Sequence, residues 1–495
     1  MSATGTVVYV KSIYSTITGY SHALTIFILG HLIGYQVVWA QMPDELYPDQ
    51  SGIGNQTGRL LNDQTRTQSS AQVTKKARRE IDGRVSVRSY VSGDTGKIVE
   101  RPLIQMSFME TDFHGRSLTS SGLGLDLDAT FILDVHQLNE RRFGETERFD
   151  QVRQLYVTQP IGALTVHLGR RLLSYSGNAW VDGLEAKYRL SEELSIGGYG
   201  GLSPDRFDRS LTLDYQAAGI YLDLQKSVVD ISLAYNTLFF QGELDRHFIY
   251  QRTHYSLTKG LFLSNYLILD LIDSPDITTL LSTIDWTPTS PLNIALTFSR
   301  YSLEQYRNQA IYRNIIEPNQ ALILGNEVID LVYNRLRFST SLRFRQIYYH
   351  YQMIELKTRA QDGNNAFLYT VGLRNEDVLG SGTELDLRGQ FMQNFRSDSL
   401  ILSVTARKDF SRYLSVDARV TSFKGRTLDQ NIDRLRVFDE AQNIYLVGAT
   451  IMSRALQGHI FMLSYDGVYE TELQDLKSDE ALFIHTGMFK YTYLF

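Results

Sequence analysis

Phe483-Ile484-His485-Thr486-Gly487-Met488-Phe489-Lys490-Tyr491-Thr492-Tyr493-Leu494-Phe495 alternates two kinds of side chain. Odd positions hold Phe483, His485, Gly487, Phe489, Tyr491, Tyr493 and Phe495, while even positions hold Thr486, Lys490 and Thr492, with Met488 and Leu494. Successive side chains of a β-strand point to opposite faces, so a period of two with aromatics on one face writes a strand with one apolar and one wetter side.

The same rhythm recurs upstream. Leu123, Leu125, Leu127, Ala129, Phe131, Leu133 and Val135 alternate with Gly124, Asp126, Asp128, Thr130, Ile132 and Asp134. Leu385, Leu387 and Phe391 oppose Glu384, Asp386, Arg388 and Gln390, and Leu414, Val416, Ala418 and Val420 oppose Ser415, Asp417, Arg419 and Thr421. Many tracts run about 10 to 12 residues, the length of a tilted membrane crossing, against a soluble mode of about 5 to 6. They return roughly every 20 residues from Arg84 onward, with no convincing helical segment between them. The expected fold is all-β: a single transmembrane antiparallel β-barrel of about 20 strands, within roughly 16 to 22 and even in number. About 22 tracts qualify, those near Leu194 and Val328 being the weakest.

Three segments divide the chain. Residues 1–40 read as a signal peptide: the apolar run Ala23–Ile33 precedes Val38 and Ala40, small residues placed for cleavage after Ala40. Residues 41–82 are polar and unpatterned and read as a flexible periplasmic lead-in. Residues 83–495 form the barrel. The last strand resembles the C-terminal assembly signal of outer-membrane proteins, and that resemblance implies recognition of Phe489, Tyr491, Tyr493 and Phe495 by the barrel-assembly machinery. The implied location is the outer membrane of a Gram-negative cell, with outer-membrane lipid around the wall.

Composition narrows the functions. The chain has 30 Tyr and 24 Phe against 9 Pro, a strand-forming bias. Its formal charge of −6 gives no electrostatic basis for nucleic-acid binding. Without Cys it has no thiolate metal site, disulfide or attached haem. Its ten His show no zinc-binding spacing. Gly197-Gly198-Tyr199-Gly200-Gly201 is followed by no helix and reads as a strand-end bulge rather than a phosphate loop. Asp429, Asn431, Asp433, Asp439 and Glu440 miss the spacing of an EF-hand and read as a solvated acidic loop. No cofactor is expected, and no enzyme motif is found. The roughly 40 residues after the cleavage site are too few for the plug of a TonB-dependent transporter.

Charges on lipid-facing midplane positions would cost about 2–4 kcal/mol each for Arg or Lys, so the charged parity faces inward. That assigns Asp126, Asp128, Asp134, Glu384, Asp386, Arg388, Arg407, Asp417 and Arg419 to the lumen. Arg335, Arg337, Arg343 and Arg345 share one parity. They form one ladder if the tract is a single strand, or two neighbouring pairs if Ser339-Thr340-Ser341 is a turn. The two signs read either as opposed stripes giving a transverse field, or as pairs across strands that keep a wide pore wet. Gly169-Arg170-Arg171 followed by Gly177 and Asp182-Gly183 resembles a hairpin of porin-like barrels and of the alginate-export family. That resemblance implies Arg171 and Asp182 as lumen groups near the rim, with Gly169 and Gly183 allowing close approach.

The expected function is an outer-membrane pore for passage or export of polar solutes or polymer. Two alternatives differ in class. One is a structural barrel sheathing a periplasmic or surface partner such as a multihaem carrier. The other is a barrel-embedded hydrolase using a rim histidine such as His136 or His350.

Overall fold

The computed structural model describes residues 80–94, 104–137, 151–205, 209–272, 274–302, 332–344, 348–360, 363–394, 397–427, 441–471 and 482–495. The expected signal peptide and most of the expected lead-in lie outside them; Glu80-Ile81-Asp82, read as the end of the lead-in, already open the first strand. The wall begins with β1 (Glu80–Asp94), β2 (Ile104–Arg116), β3 (Gly124–Gln137), β4 (Gln151–Ile161) and β5 (Leu164–Leu173). It continues through β6 (Ala179–Arg189), β7 (Leu194–Leu202), β8 (Tyr215–Gln225), β9 (Val229–Phe240), β10 (Glu243–Thr258) and β11 (Leu261–Asp270). Next come β12 (Asp276–Thr289), β13 (Leu292–Ser302), β14 (Val332–Phe344), β15 (Tyr348–Arg359), β16 (Asn365–Asn375) and β17 (Thr383–Gln393). β18 (Ser397–Ser411), β19 (Leu414–Thr427), β20 (Ala441–Ser453), β21 (His459–Thr471) and β22 (Leu482–Leu494) complete it.

Each strand pairs antiparallel with the next, and β22 pairs with β1 from Arg84↔Leu494 to Asp94↔Ile484. The sheet is therefore a closed 22-stranded barrel without edges. At the seam the Gly83 and Phe495 backbones exchange hydrogen bonds of 3.1 Å each way. The Ser92 and Thr486 hydroxyls meet at 3.1 Å across 394 residues of chain.

Both weak tracts are strands. β7 carries Gly197–Gly201 without any register shift, so the expected bulge is absent. A tyrosine ring explains Gly197 and its counterpart Gly219 on β8, while Gly201 faces the backbone of Asp182 and Gly183. A Cβ on Gly219 would fall 2.6 Å from the Tyr199 ring, and one on Gly197 would strike the Tyr221 ring. In each case the register sets ring against glycine across the pair. Tyr351 covers Gly372 in the same way between β15 and β16. Glycine weakens a strand because it offers no side chain to pack, and a ring laid across the gap restores the contact. Gly372→Val is expected to expel the Tyr351 ring and destabilise the barrel by about 1–3 kcal/mol, read from its unfolding midpoint in urea. A midpoint equal to wild type would show the ring to be idle.

One parity of the wall is bare. Leu168, Leu184, Ile220, Leu233, Leu336, Leu356, Leu402, Val420, Leu463 and Phe489 are 44–66% exposed on the outside of their strands. An apolar surface girdling the whole molecule far exceeds the patches of water-soluble monomers. Hydrocarbon is its solvent, and in hydrocarbon a sheet must close to satisfy its backbone. A closed antiparallel barrel with such a girdle is the architecture of an outer-membrane protein. Among the described residues no helix is long and apolar enough to cross a membrane; the strands make the crossing.

Candidate functional site

The inward parity divides into two sectors. From β5 to β11 it is dry. Leu173, Val181, Tyr199, Ala217, Tyr221, Ala234, Phe248, Tyr250 and Ile268 form one buried cluster inside the barrel. Its lid is the 3₁₀ turn Ser174–Ser176 between β5 and β6, which bends inward over β8 and β9. Gly177 ends that turn at φ 72°, in the left-handed region where glycine carries no Cβ penalty. Any Cβ there would also stand 3.1 Å from Phe248. Tyr250 donates to the Ser174 carbonyl at 3.2 Å, and Ser176 Oγ and Tyr199 OH donate to Asn236 Oδ1 at 2.5 and 2.6 Å.

Several charges inside this sector are matched at short range, while Arg252 stands 3.8 Å from Asp230. The buried Glu185 carboxylate accepts from Arg171, from Tyr175 and, at 2.5 Å, from Tyr221. Lys187 Nζ lies 3.0 Å from Asp223 Oδ2, and Ser232 Oγ donates to the other Asp223 oxygen at 3.1 Å. Arg246 grips Asp270 with two bonds of 2.6 and 3.0 Å. A charge taken out of water needs this kind of partner, since unpaired it costs several kcal/mol.

The remaining arc, from β12 through β22 and on to β4, has exposed inward ion pairs. Arg419 reaches Asp466 at 2.7 Å with side chains 45% and 28% accessible, whereas Asp270 and Asp223 across the barrel are at 3%. Arg374 reaches Glu384 at 2.8 Å, and Glu110 takes both Arg88 at 3.1 Å and Lys490 at 3.0 Å.

The residues expected in the lumen fall mostly in this arc. Asp126 bonds His114 at 2.7 Å, and Asp128 holds Arg153 at 2.6 Å. β14 is one unbroken strand through Ser339-Thr340-Ser341, which places Arg335, Arg337 and Arg343 on one face. Arg345 lies outside the described residues, as does the side chain of Asp134. Arg337 lies 2.7 Å and Arg335 3.9 Å from Glu355, while Arg343 meets Glu376 at 2.8 Å. Tyr351 OH donates to Asp386 at 3.2 Å. Arg388 shares the parity of Asp386 along β17, Arg407 stands opposite Glu384 across the β17–β18 register, and Asp417 stands opposite Arg407 on β19. Basic and acidic groups are thus interleaved along the wall as neighbours.

The hairpin resembling porin-like barrels divides in an unforeseen way. Arg171 points inward to Glu185. Asp182 instead shares the outward parity of Leu184 and is held by Arg170 in a two-bond pair of 2.6 Å each. The bulk of that outer charge is covered, because Arg170 also donates to the Val152 and Arg209 carbonyls at 3.0 and 2.8 Å. Asp182 is therefore no lumen group. Gly169 and Gly183 do sit opposite one another, each too close to a neighbouring carbonyl to carry a Cβ. Sequence reading missed Glu185, Tyr175 and Tyr221. Arg171, Glu185 and Lys187 share one parity of that hairpin, a signal that was available; the inward bend of Ser174–Ser176 had none.

No family model and no curated protein matches the chain. Solved structures similar to it include OccAB2 of Acinetobacter baumannii, 11% identical, covering 84% of this chain and 98% of that one at a TM-score of 0.42. OccK5 (OpdH) of Pseudomonas aeruginosa is 8% identical, covering 84% and 98% at a TM-score of 0.41. OccK11 (OpdR) of the same organism is 12% identical, covering 84% and 95% at a TM-score of 0.39.

Phe489, Tyr493 and Phe495 lie exposed on the outer face of β22, and Tyr491 OH meets His459 Nδ1 at 2.8 Å. His350, a candidate for rim catalysis, lies on the outward parity of Ile354 in β15, turned from the lumen. The side chain of His136 and the loops 303–331 and 428–440 fall outside the described residues. Among the described residues no three His, Asp or Glu side chains group as a metal would need.

Proposed function

We propose that this chain is a porin-like pore of the outer membrane, passing polar solutes of either charge through an off-centre water path. One observation carries the reading: inside a closed barrel, the acids of the ion pairs on the β12–β22 and β1–β4 wall are 18–64% accessible, Glu355 at 11% excepted, while those of the inward pairs on the β5–β11 wall are 3–11% accessible. Water needs polar walls and leaves apolar ones dry, so the path follows the wet arc. The expected lumen residues Asp126, Asp128, Asp386, Arg388, Arg407, Asp417 and Arg419 line that path. The end of the barrel holding Phe495 and the short turns faces the periplasm, and the exposed aromatics of β22 are what the assembly machinery reads.

Single-channel recording in planar bilayers tests the pore, and the absence of cysteine makes the test of its path clean. Asp386→Cys and Arg419→Cys are expected to lose conductance on reaction with a bulky thiol reagent; Ala217→Cys and Ala234→Cys are expected to be unaffected. Block at both sets would centre the path. A folded barrel that conducts nothing would instead favour the sheath that encloses a partner.

A further inference from the structure

At the end of the barrel that carries Phe495, the turns after β18 and β20 enclose a cavity of about 490 Å³ lined by Arg407, Asp409, Arg412, Tyr413, Met452 and Arg454, among others. Three guanidinium groups face one carboxylate there, which leaves a surplus of two positive charges. This breaks the rule of the wall, where cations sit against acids. Arg407 has Asp409 at 3.8 Å. Among the described residues neither Arg412 nor Arg454 has an acid within ion-pair distance.

Both are nevertheless held in place by uncharged groups. Arg412 rests over the Tyr413 ring at 4.5 Å. Arg454 donates to Met452 Sδ at 3.4 Å, and its backbone N–H donates to the Tyr413 carbonyl at 2.7 Å, tying the two turns together. A ring face and a thioether leave most of the five N–H donors of each exposed guanidinium to solvent, open to an incoming anion. Planar guanidinium forks lining one cavity match the oxygens of a phosphate group.

We propose that this mouth is an anion site for a phosphate group, with Arg412 and Arg454 as its principal donors and Arg407 in support. The group comes either from a soluble phosphate compound at the entrance or from a phospholipid headgroup of the adjoining leaflet, since Tyr413 and Leu414 on the same turn are exposed toward that leaflet.

The test is calorimetric titration of inorganic phosphate into the whole barrel in neutral detergent, which needs no conduction and so stands apart from the pore reading. Wild type is expected to bind. R412A and R454A are each expected to weaken binding about tenfold, and the double variant about a hundredfold. R412K/R454K, keeping charge without the fork, is expected to fall between. K226A, on a remote turn where Lys226 is paired with Glu193 at 3.2 Å, serves as the control with wild-type affinity. Folding of each variant is checked by mobility on an unheated gel. Competition in neutral detergent separates the sources: displacement of bound phosphate by a short-chain phospholipid shows that a headgroup enters the site, and no displacement shows a soluble ligand. Equal affinity of wild type and folded R412A/R454A, or no binding by wild type at millimolar phosphate, would overturn the proposal.

Discussion

Glu185→Leu is expected to destabilise the barrel by about 3–5 kcal/mol, because it strands a buried guanidinium. Arg171 loses its carboxylate, and the Tyr175 and Tyr221 hydroxyls lose their shared acceptor in the same step. No water waits to replace it, since Glu185 is 4% exposed beneath the inward turn. Arg171→Met combined with Glu185→Leu is expected to recover most of the loss, as removing both members of a buried pair often does. Urea unfolding of these two variants and of Arg171→Met alone closes a double-mutant cycle whose coupling should exceed about 1 kcal/mol. Additive effects would mean that the pair is solvated and the sector is not dry. The single variant should also loosen the lid at Ser174–Ser176 and widen the conducting path, visible as a larger single-channel current.

Leu402→Arg is expected to cost about 2–4 kcal/mol, for it places a charge in hydrocarbon near the centre of β18. Thr405→Arg on the same strand changes the same element by the same residue type, yet it faces inward opposite Asp386. Its cost is expected to stay within about 1 kcal/mol of wild type. Refolding into lipid vesicles followed by denaturant titration measures both. Equal penalties would show that the two faces of the wall meet the same solvent, which contradicts the membrane assignment.

The barrel was legible because its signal is redundant. Each of many strands repeats the two-residue rhythm, and a tract such as Leu414–Thr421 declares both faces without help from its neighbours. Strand number was harder. Glycine-rich β7 hides its apolar face, and the Tyr221 ring that covers Gly197 comes from the neighbouring strand, out of sight of the tract itself. The expected charged parity rests on a local rule, the cost of a bare charge in lipid. That rule misled at Asp182, where Arg170 and two carbonyls shelter the carboxylate on the outer side. The dry sector left no trace in single strands. It depends on a turn of three residues bending inward to meet side chains 60 to 76 residues away, as Asn236 on Ser176 and Tyr250 on Ser174 do. Such contacts follow from the closed shape, which alternation alone does not reveal.

The seam where β22 meets β1 bears on how the barrel is made. Hydrogen bonds such as Ser92 to Thr486 join stretches that emerge from the ribosome at opposite times. Until they meet, the growing sheet carries two raw borders, each able to recruit a stray chain. Bringing such distant partners together is entropically slow. The molecule therefore has a single late committing event. A chaperone that shields those borders, or a catalyst that joins them, would govern its yield more than the strength of any one contact in the finished wall.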